Sequence, residues 1–159
     1  MMETRAYFLT WTTYGNWLPG DARGWRKKNA GHQSPQPLLQ KWCKEQLRYD
    51  PVLLDHYDRE TVQDACREHC EFRGWTLLAV SARSNHVHAV VVADVGPKVV
   101  RDQLKANCTR RLRTQPKPIQ VEQTWTKGGQ VDILDTDDDI QSAATYVLEA
   151  QDAMDRKGQ

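Results

Sequence analysis

Residues 75–93 read WTLLAVSARSNHVHAVVVA. Trp75 to Ser81 has the composition of a strand, Arg83-Ser84-Asn85 that of a tight turn, and His86 to Ala93 that of a second strand returning beside the first. Past His88 both faces of this second strand are apolar, the pattern of a strand in the middle of a sheet. Upstream, Asp58 to Arg73 sets Val62, Ala65, Cys66, His69 and Phe72 at helical spacing, with Gly74 as a stop. Downstream, Pro97 can open a helix whose stripe is Val100, Leu104, Cys108 and Leu112 and which Pro116 ends. Ala6 to Thr13 (AYFLTWTT) reads as a further strand, and Gln123 to Leu134 contains one interrupted by Gly128-Gly129. Leu38 to Leu47 is helical in pattern, and Asp137-Asp138-Asp139 starts a final helix with acids suited to its dipole. This order predicts an α+β fold: helices packed on a four-stranded antiparallel sheet of ferredoxin-like or RRM-like kind.

A chain of 159 residues is sufficient for one core, and no internal repeat or composition break suggests a second. We expect a single domain over residues 1–159 with a long loop insertion at about 15–50. The chain is 39% hydrophobic and 27% charged, which fits a folded globular protein and excludes wholesale disorder. Its longest apolar run, Ala89 to Ala93, is far too short to cross a bilayer, and no signal-peptide core follows Met1. A cytoplasmic protein with no membrane partner is the expectation. Cys43, Cys66, Cys70 and Cys108 contain no CxxC pair and read as reduced thiols. A zinc site from Cys66, His69 and Cys70 competes with the simpler reading of apolar helix positions.

The formal net charge of +1 does not announce a nucleic-acid partner, but the distribution is uneven. Between Arg101 and Lys117 there are six basic residues, among them Lys105, Arg110, Arg111 and Arg113, against Asp102 alone. From Asp132 to Asp139 there are five aspartates and no base. A phosphate track is one reading, two solvated faces the other. The loop from Asn16 to Pro37, broken by Pro19, Gly20, Gly24 and Gly31, holds Trp17 and Trp25 among Arg23, Arg26, Lys27 and Lys28. Flat rings among cations suit single-stranded nucleic acid; the same rings could equally be buried pins for the loop.

His86 and His88 are two apart on a strand, so both side chains leave the same face and can share one ion. Two imidazoles with an oxygen ligand suit Mn²⁺ or Zn²⁺ better than Mg²⁺. Histidine pairs of this spacing also occur with no metal.

The run Asn85-His86-Val87-His88-Ala89-Val90-Val91 resembles the histidine–hydrophobe–histidine motif of single-tyrosine HUH transposases. The opening YFLTWTTYGNWLPGD and the closing Tyr146-Val147-Leu148-Glu149-Ala150-Gln151 resemble segments of the same family and of the REP-associated tyrosine transposases. The resemblance extends over nearly the whole chain. It implies a ferredoxin-like homodimer that cuts and rejoins single-stranded DNA, at or near a hairpin, with a divalent ion, Mg²⁺ or Mn²⁺, on His86 and His88. It implies Tyr146 as the nucleophile, forming a 5′-phosphotyrosine link. The family usually places a polar third ligand four residues after the tyrosine, where this chain has Ala150. Gln151 is the candidate by resemblance, although it lies some 140° around an ideal helix from Tyr146 at about 100° per residue. Glu149, three residues after Tyr146, is geometrically easier. Arg23, Arg26, Lys27, Lys105, Arg110, Arg111 and Arg113 are the expected DNA contacts.

Two other classes of function compete. One is a non-catalytic single-strand binding module whose Trp11, Trp17 and Trp25 stack bases on an RRM-like sheet. The other is a phosphoesterase using the histidines as acid and base. Only the tyrosine transferase requires a covalent protein–DNA adduct.

Overall fold

The structure, a computed structural model, describes residues 3–27 and 29–157, with side chains no further than Glu149. Its elements in order are β1 (Arg5–Thr12), β2 (Trp25–Lys27), β3 (Gly31–Gln33), α1 (Pro37–Glu45), α2 (His56–Arg73), β4 (Thr76–Ala82), β5 (His86–Ala93), α3 (Pro97–Thr114), β6 (Gln130–Leu134) and α4 (Asp137–Lys157). Four strands form one antiparallel sheet in the order β4-β5-β1-β6. The two interior strands are therefore β5 and β1, paired from Arg5↔Ala93 to Thr12↔His86. Taken with α2 and α3, this is the ferredoxin-like arrangement expected from the strand and helix order.

Local chemistry accounts for the element ends. Asp55 caps α2: its carboxylate accepts from the Asp58 amide, while the Asp58 carboxylate accepts from the Asp55 amide. Gly74 closes the same helix in the left-handed region, at φ 74°. Pro97 occupies the first turn of α3, where its missing N–H costs nothing.

Alternation along the strands divides the side chains between two layers. Tyr7, Leu9 and Trp11 of β1 and Val87, Ala89, Val91 and Ala93 of β5 face α2 and α3, and pack on Val62, Cys66, Val100, Leu104, Cys108 and Leu112. The other sheet face carries Phe8, Ala79, Val90 and Leu134, and α4 covers it with Ala143, Ala144 and Val147. The stripe expected on α3 is buried as read, and Val147 is buried on α4.

Within the stretch read as a long loop, β2 and β3 pair as a short hairpin, with Trp25↔Gln33, Arg26↔His32 and Lys27↔Gly31 in register. The Trp125 segment contributes an isolated bridge to Thr13 before β6 resumes on β1. The four thiols are free. Cys66 and Cys108 meet at 3.6 Å between α2 and α3, and His69 bonds Gln103 instead of a zinc site. Among the described residues no three His, Cys, Asp or Glu side chains come together as a metal cluster. Among the same residues no helix is long and apolar enough to cross a membrane.

Candidate active site

Because Val87 and Ala89 point into the core, His86 and His88 leave β5 on the opposite face, the one α4 covers. Their ring centroids are 4.7 Å apart at 77°, and the residues are 7% and 8% exposed. Burial penalises the imidazolium form. With repulsion from His88, Arg83 and Arg23 it brings His86 down to about 3; with repulsion from Arg83 it brings His88 down to about 4. Both rings are neutral at physiological pH.

Each ring is fixed through Nδ1. Nδ1 of His86 lies 2.7 Å from Oδ1 of Asn85, an acceptor that selects the tautomer protonated at Nδ1. Nδ1 of His88 lies 2.8 Å from Oγ1 of Thr10, the residue directly opposite it on β1. The same tautomer there leaves both Nε2 lone pairs for a ligand. Neutral imidazoles oriented by an amide and a hydroxyl are the donor set that a divalent transition ion takes, so the residues present fit such an ion.

The tyrosine reaches this pair from α4. Tyr146 is 55% exposed, lying off the buried Val147 stripe. Its ring meets Phe8 at 6.1 Å and His88 at 5.8 Å, and Phe8 itself stacks on His88 at 5.5 Å. Nucleophile candidate and histidine pair thus share one sheet face within one chain. Glu149 is exposed on α4 and forms no three-residue acidic or histidine cluster with His86 and His88. The side chain of Gln151 lies outside the described residues.

On the other side of the pair stands the segment that follows β1. Thr13 is fully buried; its amide and hydroxyl donate to the carbonyl of Asn85 at 2.9 and 3.2 Å, tying the end of β1 to the turn before the histidines. Asn16 donates to Thr13 Oγ1 at 2.8 Å and to the Val52 carbonyl at 2.7 Å. From this anchor the chain delivers Trp17, whose ring meets His86 edge-on at 5.8 Å. Its indole N–H donates to the carbonyl of Gly24 at 2.8 Å. Gly24 adopts φ +89°, and a Cβ there would stand 2.4 Å from Cε1 of His32, so the close approach requires glycine.

The expected cationic contacts separate into three groups. Arg23 is held by the buried carboxylate of Asp21 through two bonds, at 2.8 and 2.7 Å, with its guanidinium 4.2 Å above the Trp17 ring. Arg26 and Lys27 are exposed on β2, whereas the side chain of Lys28 lies outside the described residues. Lys105, Arg110, Arg111 and Arg113 belong to α3, on the sheet face opposite the histidines. Lys105 donates to the carbonyls of Thr126 and Gly128 at 2.9 and 2.7 Å, so it secures that turn. Arg110 bonds Asn107, Arg111 pairs with Glu68, and Arg113 donates to the Val121 carbonyl at 3.5 Å.

Thr10 and Arg83 escape a reading by motif, and Asn85, inside the motif run, carries no role there. Asn85 adjoins the histidines in sequence, and its amide could have been flagged for that reason. Thr10 becomes a partner of His88 only through the pairing of β1 with β5. Arg83 is nearly buried, and its charge bears on both histidines.

Residues 46–150 match the family described as "Transposase IS200 like". The solved structure described as "Structure of the REP associates tyrosine transposase bound to a REP hairpin" superposes with a TM-score of 0.50 at 10% identity, covering 92% of this chain and 67% of that one. No curated protein matches the chain.

Proposed function

The chain belongs to the IS200-like transposase family, and from that premise we propose that it cuts and rejoins single-stranded DNA, at or beside a hairpin, through a phosphotyrosine intermediate on Tyr146. The observation that carries the proposal is the placement of Tyr146 against His88 on the sheet face that also holds His86.

A phenol with pKa about 10 is a poor nucleophile at neutral pH, and the phosphodiester it must attack is an anion. A divalent ion bound by His86 and His88, Mg²⁺ or Mn²⁺, would polarise that phosphodiester and offset its charge. The remaining work falls to the chain. Asn85 holds His86 in the tautomer that leaves Nε2 free, and Thr10 orients His88 through Nδ1. The positive charge of Arg83 beside the histidines favours an anion there. Phe8 packs on both His88 and Tyr146 and so sets the approach of the phenol. The Tyr146 oxygen bonds to phosphorus as the bond to the 3′-oxygen breaks; the phenol proton leaves to solvent and the 3′-oxygen takes one up. Attack by another 3′-hydroxyl reverses the step, so rejoining needs no nucleotide cofactor. Gln151 or Glu149 as a third ligand, and pairing of two chains, belong to the same proposal. The contact of Tyr146 with His88 within one chain supports cutting by a chain's own tyrosine.

Both faces of the sheet are covered, and Trp11 is 1% and Trp25 9% exposed. A base-stacking module working through an open aromatic sheet is therefore the weaker reading. The experiment is incubation with 5′- or 3′-labelled single-stranded hairpin DNA and Mn²⁺, resolved on a denaturing gel beside Tyr146→Phe and His86→Ala. An adduct carrying the label from the 3′ side of the cut, lost in both variants, is the expected result. Hairpin binding without any adduct would overturn the proposal.

A further inference from the structure

We propose that Trp17 is a stacking platform for an unpaired nucleobase next to the phosphodiester at the histidine pair. The inference deepens the strand-transfer reading and rests on it for the position of the strand.

Three observations carry it. The first is location: ring contacts run from Trp17 to His86, from His86 to His88 and from His88 to Tyr146, so Trp17 and Tyr146 adjoin different members of the pair. A strand whose phosphate lies at the histidines has to place a neighbouring base close to one of them.

The second is exposure combined with fixation. Trp17 is 39% exposed, while Trp25 of the same loop is 9% exposed and bonded to the Ser34 carbonyl at 3.0 Å. The sequence treats these two rings alike, yet only Trp17 is left open. It is nevertheless held rigidly by its bond to Gly24 and by Arg23, which is itself locked to Asp21. A rigid, half-open ring has little side-chain freedom left to lose when a base stacks on it.

The third is backbone strain. Trp17 has φ +55°, a region that non-glycine residues with bulky side chains rarely occupy. A loop-packing role could be met without holding an exposed indole in that conformation. Arg23 lies 4.2 Å from the ring centroid, so guanidinium, indole and base can stack in sequence.

The test is binding, measured by fluorescence anisotropy at fixed salt in a Tyr146→Phe background, so that covalent chemistry plays no part. The probes are single-stranded oligonucleotides carrying one abasic site moved a nucleotide at a time. With Trp17 present, one position should show a loss of roughly tenfold, the size of one lost stack. In Trp17→Ala that penalty should vanish, and Trp17→Phe should restore it while Trp17→Leu, of similar bulk without a π-face, does not. Binding with identical penalties in all four proteins overturns this inference and leaves the tyrosine chemistry standing. Absence of binding to any strand overturns both. The Phe and Leu variants decide the matter if Trp17→Ala does not fold.

Discussion

The ring of Tyr146 meets the ring of His88 at a centroid distance of 5.8 Å and an angle of 69°, although the two residues come from α4 and β5. The contact is indirect in chemical terms: it places a phenol beside a metal-competent imidazole without consuming either polar end. Half the surface of the tyrosine stays open, which the proposed attack on a strand would require.

Tyr146→Phe should therefore leave the fold intact and abolish the covalent adduct. The lost hydroxyl sits on an exposed residue, so the thermal midpoint should move little, within the ~0.5 kcal/mol usual for surface changes. Circular dichroism and the denaturing gel read the two expectations separately, and an adduct surviving in Tyr146→Phe would exclude this nucleophile.

Thr10→Val should weaken metal binding without touching either proposed ligand. The hydroxyl fixes His88 through Nδ1, and loss of such an outer partner typically costs 10–100-fold in metal affinity, so calorimetric titration with Mn²⁺ should show at least about a tenfold weaker Kd. An unchanged Kd would detach Thr10 from the metal and weaken the assignment of His88.

Trp17→Gly should be more stable than Trp17→Ala. Both lose the same ring contacts, but only glycine occupies φ +55° freely, a difference of about 1 kcal/mol. Urea unfolding of the two variants measures it, and an equal or reversed order would show that the conformation is not strained.

Asp21→Asn should lose its effect in acid. The Arg23 side chain bonded to Asp21 is the main reason its carboxyl titrates below the usual range, against the opposing influence of burial. A carboxyl depressed in the folded state adds stability above its unfolded pKa, near 3.9, and that stability fades as pH falls through the lower folded value. Wild type should exceed Asp21→Asn in urea midpoint at pH 7, and the gap should close below about pH 4. A gap of the same size in acid would mean that charge is not what Asp21 contributes.

Replacement of Arg110, Arg111 and Arg113 by alanine should alter salt dependence more than chemistry. They lie on the helix across the sheet from the histidines, so any strand they touch is remote from the cut. If each neutralises one phosphate, the slope of log affinity against log salt should fall by about 0.7 per residue for single strands. Adduct formation at saturating DNA should persist. An unchanged slope would assign these arginines to a solvated face.

The parts of this molecule that could be read from the chain are those set by local periodicity. The strand of His86 and His88, the stripe on α3, the extent of α2 and the offset of Tyr146 from Val147 follow from spacing two or near 3.6, although Phe72, expected on the α2 stripe, is exposed. The unread parts depend on pairing across the chain. Trp17 and Trp25 share a loop and a residue type, and only the fold of that loop around Asp21, Arg23 and Gly24 decides which is buried. The β2–β3 hairpin has three-residue strands, too short for alternation to register. The basic stripe on α3 was legible as charge, whereas its place on the far side of the sheet follows from the strand order.

The site draws on β1, the segment after it, β5 and α4. Under the proposed chemistry, ribosomes making this protein would release no cutting activity until the tyrosine helix had emerged and closed over the sheet. A truncated translation product ending before Tyr146 would keep the strands that carry the histidines while lacking the proposed nucleophile. Chain order would thus add the proposed nucleophile to the histidine face only after the strands that carry the histidines.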